Sequence, residues 1–340
     1  MQSSPLVRCI LLFGLAFLAV PAWAQPAPVV LKLSQFLGPA SFFAKDFAEP
    51  WAHELEARTN GRVHVELYDG TTKLGGVLNQ ASQVRAGTVD IALGLRGAEG
   101  DKFPRTSVIE LPFLVRDAAT GSRALWTVFK QGAFGPEFGE YKALALFVQN
   151  PGLVHTATKP VHVLADLKGL RLRAPNQPVA AALRAVGAVP SLLQVNDVMP
   201  AVAAGQLDGI VTNWGNPLPG FNDAMHFHTD VPFYTAVFFV VMNKERFAAL
   251  PPDLQAAIDA ISGDVLVEQF GQLWNKWDEP VRAGATGPGQ TVIKPDAAAL
   301  ATWRDGLEPV TESYLTELSS HGDPEARAVY ERLRTMLPPP

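Results

Sequence analysis

The feature that most constrains the fold is an alternation of strand-like and helix-like segments along the chain. Residues 29–36 alternate apolar and polar side chains, as a half-buried strand does. Residues 41–58 repeat large apolar side chains every four positions, as one face of a helix does, and residues 63–68 alternate again. This order is typical of α/β proteins, so we predict that fold class. A chain of 340 residues is long enough for two domains with separate cores.

The N-terminal segment has the pattern of a secretory signal peptide, which we assign to residues 1–24. Arg8 precedes an apolar run over residues 10–20, and Ala22 and Ala24 occupy the small-residue positions of a cleavage site. The run is shorter than the roughly 20 residues of a membrane-spanning helix. Cys9, the single cysteine, lies within this segment, so we predict an exported, periplasmic protein without disulfides or cysteine chemistry.

Composition and motifs argue against several function classes. The formal net charge is −5 and no long basic run occurs, so we expect no binding to nucleic acid. No nucleophile-elbow, zinc-protease or phosphate-loop motif is present, so we predict a protein that is not an enzyme. A secreted hydrolase or lyase remains an alternative. His226 and His228 would share one strand face without further ligands, which predicts a partly exposed edge rather than a metal site, and no cofactor is expected.

The segment from Leu167 to Asn176 contains the strongest candidate for ligand binding. Leucine and arginine alternate over residues 170–173, Pro175 ends the strand pattern, and Asn176 can cap a following helix. An arginine at the carboxyl end of a strand, beside a helix N-terminus, is suited to bind an anion. Carboxylate binding is therefore the leading hypothesis for this segment, although the pattern alone favours Arg173 as a surface arginine and also allows a partner in an internal salt bridge. Arg171 lies further from the strand end and is expected to be a solvated or lobe-bridging charge.

Two other patterns bear on domain organisation. An Ala-Gly pair is followed by an aspartate and a buried strand at Asp90 and again, at matching spacing, at Asp208. This repeated pattern is either a common helix-to-strand turn or a sign of two similar lobes. Apolar residues from Ile258 through Phe270 towards Trp277 predict one helix long enough to span both lobes.

An ordered set of short blocks resembles the solute-binding proteins of TRAP transporters, the DctP-like family. The blocks cover nearly the whole chain after the signal peptide: residues 36–45, 73–76, 84–91, 110–113, 167–173, 205–209 and 242–243. The resemblance implies a two-lobed periplasmic binding protein fold of type II-like architecture, with hinge strands and a long lobe-spanning helix. The expected lobes are residues 25–150 plus 239–278, and residues 151–238 plus 279–340.

The resemblance also implies a function. We expect an extracytoplasmic receptor, a monomer, that binds an organic acid and delivers it to the small and large membrane subunits of a TRAP permease. In the family, the arginine matching Arg173 forms a bidentate salt bridge with the ligand carboxylate. Some sialic-acid receptors have a second arginine where residues 151–155 have none, so a sugar acid is less expected. A receptor for an ABC-type permease is the alternative.

Five further residues are candidate ligand contacts. Thr212 and Asn213 stand where many relatives have a different polar motif, and either is expected to supply a second polar contact. Trp214 and Phe36 are expected to line the pocket as aromatic walls. Arg96 follows the strand predicted over residues 91–95 and would favour a second acidic or polar group if it faced the cleft. With Arg173 as the main anchor, the sequence favours a monocarboxylate or keto acid with an apolar or aromatic body.

Overall fold

The computed structural model describes residues 27–193, 195–215 and 218–337, so the predicted signal peptide lies outside the described residues. The strands are β1 (Val29–Ser34), β2 (Val63–Tyr68), β3 (Ile91–Leu95), β4 (Tyr141–Val148), β5 (Gly152–Thr156), β6 (Arg171–Ala174), β7 (Val189–Leu192), β8 (Gly209–Thr212), β9 (Phe227–Tyr234), β10 (Val237–Asn243) and β11 (Thr291–Ile293). They form two sheets with helices packed against them, so the predicted α/β fold with two domains is confirmed.

Helices surround both sheets. The α-helices are α1 (Glu49–Arg58), α2 (Gln80–Arg85), α3 (Ala118–Lys130), α4 (Gln177–Ala185), α5 (Val195–Ala203), α6 (Phe221–Ala224), α7 (Lys244–Ala248), α8 (Pro252–Ala260), α9 (Asp264–Gly284), α10 (Ala297–Ser320) and α11 (Ala326–Met336). A π-helical turn (Phe43–Ala48) and three 3₁₀ turns (Arg96–Ala98, Thr106–Glu110, Leu164–Leu167) complete the helical elements of the described residues. No helix in these ranges has the length and apolar character needed to cross a bilayer.

Each sheet combines parallel and antiparallel pairs. The first has the order β2-β1-β3-β10-β4, with β10 antiparallel to both of its neighbours. The second has the order β11-β9-β5-β8-β6-β7, in which β6 is parallel to β7 and β8. Strands buried on both faces explain the continuous apolar runs in β4 and β10, where helices cover the sheet.

Two adjacent chain segments connect the sheets. Gln149, Asn150 and Pro151 join β4 to β5, and Thr235 and Ala236 join β9 to β10. The segments are hydrogen-bonded to each other: the Gln149 amide donates to the Ala236 carbonyl (3.1 Å), and the Thr235 hydroxyl donates to the Gln149 carbonyl (2.7 Å). Paired crossovers of this kind are the hinge strands expected of a two-lobed receptor.

Helix α9 contacts both halves of the molecule. The Phe270 ring stacks on Phe147 of the first sheet at 3.7 Å, while Asp278 bonds to the segment that follows β8 of the second sheet. The prediction of one helix running from Ile258 into this region was wrong. Gly263, with φ of 66°, separates α8 from α9, and its amide donates to the Leu144 carbonyl instead of continuing a helix.

The C-terminal helices contact elements of both halves. Helix α10 packs against α4, and α11 packs against α3. The residue boundaries given above for the two lobes stay a prediction.

Candidate functional site

The candidate site lies at the edge of the second sheet that faces the crossovers. Because β6 and β8 are parallel and β5 is antiparallel to β8, the end of β6, the end of β8 and the start of β5 meet there. Register places Arg173 beside Ile210 and Thr212 beside Leu153. The predicted residues Arg173, Thr212 and Asn213 therefore reach one edge, as expected from their positions after strand patterns.

Arg173 is a buried cation whose charge is not balanced by a neighbouring carboxylate. Its side chain is 5% exposed, its Nε donates to the Leu193 carbonyl (3.3 Å), and no carboxylate of the described residues lies within 4 Å. Burial lowers the pKa of Arg173, because low-dielectric surroundings disfavour the charged form. A buried guanidinium without a counter-ion is costly unless an anion binds to it. The geometry thus suits a carboxylate.

Tyr234, at the end of β9, lies close to Arg173. Its hydroxyl accepts a hydrogen bond from Gln149 Nε2 (3.3 Å) and bonds to the Thr212 side chain. Burial raises the pKa of Tyr234, so its hydroxyl stays protonated and can donate. Gly152 lies opposite, and a Cβ there would be 1.8 Å from the tyrosine ring, so this packing requires glycine. The sequence analysis did not identify Tyr234 or Gln149.

Arg96 is buried like Arg173 but has a carboxylate partner. Its Nε donates to Glu110 Oε1 (2.9 Å) and its Nη2 to Glu110 Oε2 (2.5 Å). The two side chains are 8% and 1% exposed. Although burial works against the charged guanidinium, Glu110 holds the pKa of Arg96 above its ordinary value. The positive charge of Arg96 is therefore balanced within the protein, and a ligand contact by Arg96 stays a prediction.

Glu110 also accepts two hydrogen bonds from outside its own segment. The Val237 amide, at the start of β10, donates to Oε1 (3.0 Å), and Asn176 Nδ2 donates to Oε2 (3.3 Å). Asn176 uses its oxygen to cap α4 through the Val179 amide (2.9 Å), as its position predicted. Glu110 thus connects the second crossover to the residue that follows the Arg173 strand.

Asn213 bonds to a buried carboxylate on α9. Its Nδ2 donates to Asp278 Oδ1 (3.2 Å), which also accepts from the Gly215 amide (2.6 Å). Asp278 Oδ2 accepts from Asn150 Nδ2 (2.8 Å) in the first crossover. Burial raises the pKa of Asp278 although three N–H groups oppose that shift.

Trp214 packs inside the second lobe in this structure. Its ring lies 4.9 Å from His155 and 4.8 Å from His228, and Phe221 lies behind the same cluster. These contacts give Trp214 a packing role, and its role as a ligand wall stays a prediction. The expectation that His228 lies at an exposed edge was wrong, because its side chain is fully buried against His155 across the β5–β9 pair.

The histidine pair belongs to a continuous chain of hydrogen bonds. His155 Nε2 donates to the Thr212 carbonyl (3.0 Å), the Nδ1 atoms of His155 and His228 lie 2.8 Å apart, and His228 Nε2 lies 2.8 Å from Gln290 Oε1. Burial and the adjacent ring lower the pKa of His155 to about 3. No group of three or more potential ligands in the described ranges is arranged to hold a metal ion.

Phe36 stands at one end of a row of aromatic rings in the first lobe. Its ring is parallel to Phe238 at 6.4 Å, Phe238 stacks on Phe147 at 5.4 Å, and Phe147 stacks on Phe270. Phe36 is half-buried, whereas the other three rings are buried. The half-buried ring of Phe36 therefore lies next to the start of β10, where a crossover ends. This position supports a ligand contact by Phe36, which stays a prediction.

Asp90 and Asp208, the aspartates of the repeated sequence pattern, occupy equivalent places in the two sheets. Asp90 accepts from the Lys32 amide (2.7 Å) and from Arg246, and Asp208 accepts from the Arg171 amide (2.8 Å) and the Arg171 side chain. Both carboxylates join a strand to its parallel neighbour. Arg171 is consequently an exposed partner of Asp208, in agreement with the lesser role predicted for it.

Comparisons with known proteins agree with this architecture. The family model for bacterial extracellular solute-binding protein, family 7 (DctP), matches residues 33–317. A relative from Comamonas testosteroni, the outer membrane transporter protein TsaT, is 30% identical over 89% of this chain and 90% of its own length.

Two solved structures are also similar. One is a marine metagenome TRAP solute binding protein specific for aromatic acid ligands, in complex with metahydroxyphenylacetate; it is 28% identical, with a TM-score of 0.84 over 91% of this chain and 98% of that chain. The other is a TRAP solute binding protein from Rhodoferax ferrireducens in complex with copurified benzoate. It is 30% identical, with a TM-score of 0.82 over 91% of this chain and 97% of that chain.

Proposed function

Because the chain belongs to family 7 of the bacterial extracellular solute-binding proteins, the receptors of TRAP transporters for organic acids, we propose that its ligand is an aromatic monocarboxylate held by Arg173. This assignment favours a TRAP-type receptor over the ABC-type receptor that the sequence left open. The observation that carries the ligand proposal is the buried, unbalanced charge of Arg173 at the sheet edge beside the crossovers.

The physical case for a carboxylate rests on the geometry of the guanidinium group. Its planar fork matches the two oxygens of a carboxylate, and such charge-assisted hydrogen bonds stabilise a complex by about 1.5–3 kcal/mol. Thr212 and Tyr234 add hydroxyl groups beside Arg173. Closure of the lobes would remove water from the pair and strengthen it.

The charge balance of the site supports one carboxylate rather than two. The other buried arginine among the predicted site residues, Arg96, is already paired with Glu110 through two hydrogen bonds. A second ligand carboxylate would have to compete with Glu110 or remain unpaired, and a buried unpaired charge is strongly unfavourable.

The aromatic row supports an aromatic body for the ligand. Aromatic rings favour offset-stacked and edge-to-face contacts with one another, and each such pair contributes about 0.5–1.5 kcal/mol beyond the area it buries. Phe36 offers the accessible end of that row. The two similar solved structures, which hold metahydroxyphenylacetate and benzoate, point to the same ligand class.

The remaining parts of the proposal follow from the family. We propose that the mature protein is a periplasmic monomer, that it releases its ligand unchanged, and that it presents the closed form to the membrane subunits of a TRAP permease. Recovery of unaltered organic acids after prolonged incubation of a set of candidates, including esters and hydroxy acids, would support a receptor, whereas conversion of any of them would support the hydrolase or lyase alternative.

Titration calorimetry with the mature protein tests the ligand class. Benzoate should bind, whereas phthalate, which carries two carboxylates, and benzamide, which carries none, should bind at least about tenfold more weakly. Cyclohexanecarboxylate has the same charge without an aromatic ring and measures the contribution of the aromatic row. Equal affinity for phthalate would contradict the single-carboxylate proposal.

Variants of the two arginines on β6 form a matched pair. Arg173→Ala leaves the ligand carboxylate unpaired, so the affinity for benzoate should fall by about 100-fold or more. Arg173→Lys should also weaken binding, since lysine cannot supply the planar fork. Arg171→Ala removes an exposed ion pair on the same strand and should leave the affinity unchanged. Benzoate binding that survives Arg173→Ala would refute the proposed role.

A further inference from the structure

Asp278 is a buried carboxylate that was not predicted from the sequence and that forms no ion pair with the described lysines and arginines. It is 7% exposed, and no lysine or arginine of the described residues lies within 4 Å of it. Its oxygens accept three hydrogen bonds, from Asn150 Nδ2, Asn213 Nδ2 and the Gly215 amide. These N–H groups stabilise its ionised form at hydrogen-bond distance, and the charge of Arg282 on the same helix adds to that effect without forming an ion pair.

These three donors come from two separate parts of the fold. Asn150 lies in the crossover from β4 to β5, and its side-chain oxygen accepts from the Ala118 amide at the start of α3 (2.8 Å). Asn213 and Gly215 follow β8, whereas Asp278 lies on α9. One carboxylate thus fixes a crossover, the lobe-spanning helix and the segment that carries a candidate ligand contact.

The segment after β8 approaches Asp278 more closely than a side chain would allow. A Cβ on Gly215 would lie 2.5 Å from Asp278 Oδ1. The close approach lets the Gly215 amide donate at 2.6 Å and brings the Asn213 amide to the same oxygen. A glycine at position 215 is therefore required for this contact with the Asp278 carboxylate.

The ionised form of Asp278 reduces stability. Burial is the largest influence on its pKa and raises it, so ionisation costs free energy in the folded state. A neutral residue of similar shape would avoid that cost. Ionised groups retained against stability are typical of functional sites, where the charge serves binding.

We propose that Asp278 is a positioning residue, whose ionised carboxylate orients the Asn213 amide towards the ligand and holds it in register with the crossover at Asn150. A carboxylate only accepts hydrogen bonds, so both asparagines must turn an N–H towards it. The second N–H of Asn213 is then directed by this arrangement and is available to a ligand oxygen. This inference rests on the proposed function, because it assumes a ligand at the Arg173 edge.

Asp278→Asn is the main test. The amide has one accepting oxygen, so its NH₂ group must face one of the present N–H donors. The dissociation constant for benzoate should rise by about tenfold or more, whereas the melting temperature of the ligand-free protein should change little, because removal of the buried charge offsets the unfavourable contact between N–H groups. A lower melting temperature together with unchanged affinity would overturn the inference.

A double-mutant cycle tests whether Asp278 acts through Asn213. Asn213→Ala should weaken benzoate binding, and Asp278→Asn should have little further effect in that background. Independent, additive effects on affinity would contradict the positioning role.

Gly215→Ala tests the same contact without altering a polar group. The added methyl group pushes the segment away from Asp278 and should weaken binding. Gly76→Ala is the control, because a Cβ at Gly76 meets no atom within 4 Å. Wild-type affinity in Gly215→Ala would count against the inference.

The proposed function and this inference fail in different ways. If the wild-type protein binds no aromatic carboxylate, or if Arg173→Ala binds as well as wild type, the proposed function fails. If wild type binds benzoate, Arg173→Ala does not, and Asp278→Asn and Gly215→Ala both bind normally, only the positioning role of Asp278 is overturned.

Discussion

Replacing Glu110 by glutamine is expected to be among the most destabilising conservative changes in this protein. Glu110 is 1% exposed on its side chain and accepts two hydrogen bonds from Arg96, one from Val237 and one from Asn176. Glutamine keeps the shape but has one accepting oxygen and no charge. The guanidinium of Arg96 would then be buried without a counter-ion, at a cost of about 3–5 kcal/mol.

The reverse change gives a second estimate of the same interaction. Arg96→Met removes the cation and leaves the Glu110 carboxylate with two neutral donors, again at about 3–5 kcal/mol. The double variant Arg96→Met/Glu110→Gln buries no charge, and the glutamine oxygen can still accept from the Val237 amide. Its cost should be well below the sum of the single costs, about 6–10 kcal/mol, with a coupling of several kcal/mol.

Urea unfolding followed by circular dichroism measures these costs, provided that the slope of each transition stays the same. The pair Arg327 and Glu312 supplies the control, because it is a bidentate ion pair like that of Arg96 and Glu110 but lies on the surface. Arg327→Gln should cost within about 1 kcal/mol. Additive single-variant costs at Arg96 and Glu110, or a Glu110→Gln variant as stable as Arg327→Gln, would refute the assignment of a tightly coupled buried pair.

Three further predictions concern binding and pH. Asn176→Asp retains the cap of α4 but places a second carboxylate beside Glu110, where like charges repel, so benzoate titrations should show affinity at least about tenfold weaker. Asn176→Ser also caps the helix but adds no charge, so it should bind nearly as wild type. Equal affinities of the two variants would contradict this effect of charge. Burial raises the pKa of Glu137 from 4.5 to about 7, so its contribution to the free energy of unfolding is full below pH 4.5 and is lost as pH rises to about 7. Relative to Glu137→Gln, the wild type should lose stability over that interval in urea titrations, and parallel pH profiles would contradict this. Burial lowers the pKa of His155 from 6.5 to about 3, so its contribution is full above pH 6.5 and falls as pH drops towards 3. Its NMR signals should therefore not titrate near pH 6.5, and a titration midpoint there would contradict this burial.

Local patterns were sufficient to predict much of the architecture. The alternation over residues 170–173, followed by Pro175 and Asn176, identified a strand that ends at a capped helix, and the structure has that order in β6 and α4. The strand edge that brings Arg173 and Thr212 together follows from the same reasoning. The break at Gly263 was missed because apolar spacing continues across it, although a Ser-Gly pair interrupts the helix.

Partners that are distant in sequence could not be predicted in this way. Asp278 lies 65 positions from Asn213 and 128 from Asn150, and nothing in its helical surroundings marks it as buried. In the sequence Trp214 stands among small polar residues, but its neighbours in space are rings from β5 and β9. Such contacts depend on how the sheets and helices pack, which the period of a single segment does not specify.

The two buried carboxylates have parallel roles at the two crossovers. Glu110 accepts from Val237, which directly follows one crossover, and from Asn176 after β6. Asp278 accepts from Asn150 in the other crossover and from Asn213 after β8. Since β6 and β8 are neighbouring strands, these bonds connect the sheet edge at Arg173 to both connections between the lobes. The carboxylates differ in one respect that separates their effects. Glu110 has a cationic partner, so its loss should lower stability, whereas Asp278 has none among the described residues, so its neutralisation should impair binding without lowering stability.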